Sequence, residues 1–428
     1  MKAAVIGLGV EGVKATKSLL NHGWEVYASD LQLNVDLSSL KIPIVDIDIT
    51  TKETDQVSIV SKNLLIDLGI NNLDIINSCD AIVLSPSLWN SNFASQFKKS
   101  GKLLQDTLKV NKKIFTIGIT GTNGKTTSVM MTKSILEAAG KKVLVGGNGG
   151  GGFEGYYDLI LEAENGDYDI VLVEVCDMTL SFCDYCFDFD LIGLTNIGYD
   201  HMDVHGTIDN YKNELINFFK GKKVVISEDE KFLDELKNSP RESYSFSLSN
   251  HNLSVFGQFN KANADLAEKI TSLVGIDKKI IKDSLESFKP VKGRIQVYKL
   301  FDSHIYVGKT DNADAAKSIL DEVNFYATFI GTPRKGEINR LDILNEVCLH
   351  NPEVIVLFPG LDDTIDEGVL RLQSIGYEGK VEVARSIDEI VEFLAEYSHE
   401  DYLFIGGNGQ DKIIEIQERL EQLCKSCS

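Results

Sequence analysis

The residues from Thr120 to Thr127, TGTNGKTT, have the types and spacing to hold a phosphate. Glycines at 121 and 124 let successive backbone N–H groups turn toward one point, where an anion meets several donors at once. A helix opening at Lys125 adds the positive end of its dipole. Lys125 can reach a β- or γ-phosphate, and the Thr126 hydroxyl can ligate Mg²⁺. Gly121, Thr122, Asn123, Gly124 and Thr127 complete the cradle. The full P-loop pattern wants a glycine five residues before Gly124. That position is Ile119, and Gly118 lies one residue early, so the match is to the GKTT end of the pattern.

Carboxylates and a histidine are spaced to reach the same edge. Glu174 closes the apolar run IVLVEV, and Thr195, Asn196, Asp200, His201 and Asp203 follow the apolar run LIGL. Ligands of open α/β sheets bind at the carboxyl ends of the strands, where these residues fall. Mg²⁺ takes oxygen donors, so Glu174 and Thr126 are expected ligands. His201 is expected to ligate a second metal or to position a substrate carboxylate. Away from a phosphate loop, a solvated glutamate and a structural histidine would be the plainer readings.

A second glycine motif sits at Gly7-x-Gly9-x-x-Gly12, with Asp30 at the end of the next strand. It fits a pyrophosphate site on a helix N-terminus, with Asp30 accepting from a ribose hydroxyl or a base N–H. NAD(P), another nucleotide-type ligand and simple tight packing all satisfy it. Ser85 opens a Ser-Pro-Ser turn after the apolar run 81–84 and is a further substrate-binding candidate.

The elements around these motifs alternate strand and helix. Strands are expected at 2–6, 25–29, 81–84, 114–120, 143–145, 170–175, 191–194 and 224–226, then at 296–299, 304–308, 327–331, 354–358, 381–383 and 402–406. Intervening helical patterns predict parallel α/β sheets. The fold class is α/β with three domains: a Rossmann-like domain at 1–110, a P-loop ATPase-type domain at 111–291 and a Rossmann-like domain at 292–428. Lys289 to Gly293 reads as a hinge.

The composition narrows the class. Forty-three basic against 64 acidic residues give a net charge of −21. So acidic a chain is unsuited to wrapping nucleic acid or coating an anionic membrane. No apolar run has transmembrane length. Seven cysteines without a disulfide pattern fit a cytoplasmic protein. Cys183-x-x-Cys186 and Cys424-x-x-Cys427 would together suit tetrahedral zinc, though their separation favours unligated thiols.

Taken in order, the motifs resemble those of the Mur ligase family, ATP-dependent amide ligases that build cell-wall peptides. GITGTNGKTT (118–127) is similar to the family's ATP loop, and GGNGG (146–150) resembles the GGNIG of its D-glutamate-adding branch. VLVEV (171–175), TNIGYDHMD (195–203), GQFNKANADLA (257–267) and KGR (292–294) resemble the remaining motifs. The resemblance implies a first domain that binds the UDP end of a sugar-nucleotide, a central domain for ATP and Mg²⁺, and a last domain that brings the amino acid and closes over ATP. A substrate carboxylate would attack the γ-phosphate, and the amine would displace phosphate from the acyl phosphate. It implies adenine recognition by Asn263, a closing contact from Arg294 to ATP, and contact of Asn148 with the first substrate. Lys125, His201 and Arg294 are the implied catalytic residues, and Gly9, Gly12, Asp30 and Ser85 the implied site for the UDP-linked precursor.

Three positions depart from the family pattern. Phe259 stands in place of a histidine, Gly308 in place of the aspartate that opens the last domain, and Leu215 where several branches carry a carbamylated lysine. Lys309 is expected to compensate or to bind another acid. The expected partners are a UDP-linked cell-wall precursor, murein or pseudomurein, and a free amino acid, handled by a monomer. The competing functions are a Mur-like ligase acting on a folate or tetrapyrrole precursor, an NAD-dependent oxidoreductase, and a nucleotide sensor that has lost ligation. The first domain argues against the folate branch.

Overall fold

Apolar runs with no polar alternation, such as AAVI at 3–6 and IVLV at 170–173, cannot leave one face in water. They must lie in sheets covered on both sides. The computed structural model describes residues 1–40, 46–48, 56–300 and 302–427, and the side chains of 46–48, 203, 426 and 427 lie outside that description. Among the described residues the strands form three six-stranded sheets.

The first sheet contains β1 (Lys2–Ile6), β2 (Glu25–Asp30), β3 (Asp46–Asp48), β4 (Val57–Ser61), β5 (Leu64–Leu68) and β6 (Ala81–Leu84), in the order β3-β4-β5-β2-β1-β6. Its β5-β2-β1-β6 part is parallel, while β4 runs antiparallel to both β3 and β5. The sequence pattern predicts a wholly parallel layer and does not reveal this edge. Strand β4 is only half-buried, so no continuous apolar run announces it.

The second sheet contains β7 (Phe115–Thr120), β8 (Val143–Gly147), β9 (Ile170–Glu174), β10 (Leu191–Leu194), β11 (Lys223–Ser227) and β12 (Glu242–Phe246), all parallel, in the order β12-β11-β10-β7-β9-β8. Strand β7 thus lies between β9 and β10, and the loops after all three open on one crevice. The third sheet contains β13 (Gln296–Leu300), β14 (Ser303–Val307), β15 (Ala327–Gly331), β16 (Val354–Phe358), β17 (Lys380–Val383) and β18 (Tyr402–Gly407). Its order is β13-β14-β18-β15-β16-β17, and the β13–β14 hairpin is its one antiparallel pairing among the described residues.

Four helices bear on the candidate site: α1 (Val10–Asn21), α2 (Lys125–Ala138), α3 (Ile208–Phe219) and α4 (Gln258–Leu273). The first and second sheets share one apolar core. Trp89 meets Phe182 edge-on with ring centroids 5.3 Å apart, and the Tyr157 hydroxyl donates to the Leu84 carbonyl at 2.8 Å. The second and third are joined by Phe256 and Phe259, which pack on the third sheet's core, Phe256 lying 4.8 Å from the Tyr306 ring. No described helix is long and apolar enough to cross a membrane.

Gly12 fixes the entry to α1. A Cβ there would lie 1.8 Å from the Gly7 carbonyl oxygen, so helix and glycine turn touch backbone to backbone. Gly12→Ala is expected to destabilise the chain by about 3 kcal/mol through this clash, read as a lower urea midpoint with an unchanged slope.

Candidate active site

The phosphate loop links β7 to α2. Gly121 has φ 128° and Gly124 φ 84°, left-handed values that side chains resist. A Cβ on Gly124 would also meet the Asn263 Oδ1 at 2.2 Å, because α4 lies directly behind the loop. Asn263 is buried there. Its amide donates to Asn260 Oδ1 at 3.1 Å and its oxygen accepts from the Ser128 hydroxyl at 3.1 Å. Asn196 braces the loop from β10, accepting from the Asn123 N–H at 3.1 Å and donating to the Asn123 carbonyl at 3.0 Å. The Lys125 ammonium folds back onto the loop, donating to the carbonyls of Gly121 at 2.7 Å and Thr122 at 2.8 Å, with Asp177 at 3.5 Å.

Beside the loop, Glu174 is 1% exposed at the end of β9. One of its oxygens accepts from the Thr126 hydroxyl at 2.6 Å, the other from the Asn148 amide at 3.1 Å. Arg294 crosses from the segment preceding the third sheet and donates to Thr126 Oγ1 at 2.5 Å and to the Gly151 carbonyl at 3.4 Å. Thr126, Glu174, Asn148 and Arg294, four of the residues singled out in the sequence, thus meet at one point. The paired hydroxyl and carboxylate oxygens of Thr126 and Glu174 are the hard donors that a small divalent cation takes, so this pair fits Mg²⁺.

His201 lies elsewhere on the rim. Its backbone is left-handed at φ 49°, and its ring faces Arg340, whose Nη2 stands 3.1 Å from Nε2 and 3.4 Å from Nδ1. Arg340 also donates to Asp200 at 3.1 Å and Asp311 at 3.2 Å. Lys309 pairs with Asp311 at 2.8 Å, and Asn312 exchanges amide bonds with Asn123 at 2.9 and 3.2 Å. The lysine and the guanidinium hold the Asp311 carboxyl far below its ordinary range against the opposing effect of desolvation. Gly308 has a steric reason: a Cβ there would lie 2.4 Å from the Ile295 nitrogen. In place of an aspartate at 308, the same loop carries a half-buried carboxylate further along, at Asp311.

In the first sheet, Gly9, Gly12, Asp30 and Ser85 come together, but Asp30 is spent on its own turn. Its Oδ2 accepts from the Leu8 N–H at 2.6 Å and its Oδ1 from the Gln32 N–H at 2.8 Å. Ser85 shares a 3.0 Å hydrogen bond with Ser87, and a Cβ on Gly7 would touch it at 2.9 Å. Gly9 is open, with nothing within 4 Å of a built Cβ. Glu11, from α1, reaches across to the glycine loop that carries Asn148, accepting from the Gly149 N–H at 2.6 Å and the Tyr156 N–H at 3.3 Å. Burial pushes its carboxyl up to about 7.

Glu11, Asp177, His205 and Arg340 are the contributors that sequence reasoning missed. Only Arg340 left a signal, as one of the chain's few arginines. Cys183 and Cys186 are buried in the core shared by the first two sheets, and burial pushes the Cys183 thiol up to about 12. Cys424 packs on the core of the third sheet and donates to the Lys299 carbonyl, while the side chain of Cys427 lies outside the described residues. Cys183 and Cys186 therefore lie in a different core from Cys424, which argues against a zinc shared with it.

The family described as the Mur ligase middle domain matches residues 119–299, the span holding the phosphate loop, Glu174, His201 and Arg294. Over that span the chain is similar to the Mur ligases. A UDP-N-acetylmuramoylalanine–D-glutamate ligase from Wolbachia sp. subsp. Brugia malayi (strain TRS) is 26% identical over 415 residues, covering 79% of both chains. The solved structure of UDP-N-acetylmuramate-alanine ligase MurC from Thermotoga maritima superposes with TM-score 0.62 at 18% identity, covering 100% of both chains. A pseudomurein peptide ligase type C from Methanothermus fervidus gives TM-score 0.59 at 18% identity, covering 98% of this chain and 99% of that one. FolC from E. coli, solved with DHPP and ADP, gives TM-score 0.60 at 16% identity over 74% of this chain and 92% of its own. The three α/β sheets together are the Mur ligase fold.

The raised Glu11 carboxyl carries a pH signature. The unfolded chain ionises this group from about 4.5, whereas the folded chain holds the proton up to about 7. Glu11 therefore takes stability away as pH rises through that window. Urea midpoints measured from pH 4.5 to 8 are expected to fall less steeply for Glu11→Gln than for the parent.

Proposed function

We propose that this chain is an ATP-dependent ligase that joins an amino acid to the carboxylate of a UDP-linked cell-wall precursor, murein or pseudomurein, through an acyl phosphate. The observation that carries the proposal is the convergence of Thr126, Glu174, Asn148 and Arg294 beside the phosphate loop. This joins all three sheets at one point, because Glu11 fastens the loop bearing Asn148 to the first.

The reaction needs two anions, a carboxylate and a triphosphate, within bonding distance, so cations must neutralise both. Lys125 and the amides of Gly121 to Thr127 would take the β- and γ-phosphates. Thr126 and Glu174 would hold Mg²⁺, which when bound supplies charge neutralisation at the phosphates. A carboxylate oxygen of the precursor attacks the γ-phosphorus and ADP departs. The amine nitrogen then attacks the acyl carbon, loses a proton, and phosphate leaves. Arg294, already across the seam, would hold the reacting phosphate. Asn263 would read adenine from behind the loop. His201, oriented by Arg340, would serve a second metal or a substrate carboxylate, and Lys309 with Arg340 would meet the amino acid. Gly9, Gly12 and Ser85 would receive the UDP end. Asp30 would act there by shaping the turn, which weakens the NAD reading, since its oxygens already serve Leu8 and Gln32. We assign these roles to residues 111–291 for ATP, 1–110 for the precursor and 292–428 for the amino acid, in a cytoplasmic monomer.

Phosphate release screened over UDP-sugar acids and amino acids tests the proposal, and no release with any pair would favour a nucleotide sensor. Lys125→Ala is expected to lower turnover by roughly 10²–10³-fold with the fold intact, as for loss of a donor to developing charge. Wild-type turnover in that variant would overturn the assignment. Arg294→Ala is expected to slow ligation more than it weakens ATP binding, measured as kcat against the Kd for ATP. Equal losses would mean that the arginine contributes only to ground-state binding.

A further inference from the structure

Lys125 is already occupied. Its partners are the Gly121 and Thr122 carbonyls and the Asp177 carboxylate. Asp177 is 2% exposed, lies just past Glu174, and has no part in the proposed phosphoryl transfer. It is also tethered. Its Oδ2 meets His205 Nε2 at 3.1 Å, and His205 Nδ1 meets Glu214 of α3 at 2.8 Å. The His205 ring stacks on Tyr211 at 4.5 Å, and both rings are buried. This line of Glu214, His205 and Asp177 ends at the phosphate-loop lysine. Leu215, the next residue on α3, is core and supplies no charge. An incoming phosphate must therefore draw Lys125 away from a carboxylate that cannot follow it.

We infer that Asp177 is a positioning residue that competes with nucleotide for Lys125: tethered through His205 to Glu214, it holds the lysine against the loop and keeps nucleotide affinity low enough for product to leave. This rests on the reading of Lys125 as a phosphate ligand. The electrostatics agree, since the neighbouring carboxylates, Asp177 first, raise the lysine against the effect of burial, and the lysine and histidine hold Asp177 low. Asn at 177 keeps the shape and an acceptor for His205 but removes the charge. The buried ammonium is then left without its counter-ion until a polyanion supplies one.

The test is ADP binding in EDTA, by calorimetry, so that no metal intervenes. Asp177→Asn is expected to bind ADP about tenfold tighter than the parent, with slower dissociation and a lower Tm without ligand. Asp177→Glu, which restores the charge, is expected to return affinity toward the parent value. A merely structural role would weaken binding in the Asn variant, and unchanged or weaker binding there overturns the inference. Should that variant fail to fold, a crystal structure of the parent with ADP decides: Lys125 on phosphate with Asp177 still on His205 supports it, and Lys125 still on Asp177 overturns it. Lys125→Ala serves as the control. If the parent does not bind ADP, or binds it as well without Lys125, the phosphate-loop reading fails together with this one. If only the Asn variant disappoints, the competition alone fails.

Discussion

A carboxylate with almost no access to water must be fully partnered, because desolvating it costs several kcal/mol. Glu174 is in that position, and much of the molecule is arranged around it. The Thr126 hydroxyl and the Asn148 amide take its two oxygens, and Arg294 closes on the same hydroxyl. Those three residues come from the phosphate-loop helix, the glycine loop after β8 and the lead-in to the third sheet. Satisfying one buried acid thus brings together the parts that a phosphoryl transfer requires, and the same oxygens are what a divalent cation would take over.

The second organising feature is the charge relay along the other rim. Arg340 links Asp200 and His201 of the second sheet to Asp311 of the third, while Asn312 and Asn123 lock amide to amide. The Arg340–Asp200 pair crosses the seam, so the third sheet is held against the second by polar contacts that also define the rim of the cleft.

What could be read in advance depends on which features are local. The phosphate loop was legible because a backbone that turns its N–H groups inward needs glycine at 121 and 124, and the sequence has glycine there. Glu174 was legible because it ends an uninterrupted apolar strand. Arg340 was not, since it meets His201 across 139 positions of sequence and nothing near it marks the pairing. His205 and Asp177 were hidden for the same reason, and so was Glu11, whose partners Gly149 and Tyr156 lie 138 and 145 positions away. The edge strand β4 went unread because a short half-buried strand lacks an apolar run, and Gly308 looked like a loss until its contact with Ile295 explained it.

Phe259, where the resembling motif carries histidine, gives the seam a different temperament. With Phe256 it lodges oily surface in the third core, so part of what draws the two halves together is the release of ordered water. Such an attraction fades in the cold and strengthens with salting-out solutes. A chain closed in this way would gape more readily near freezing than one fastened by ions alone.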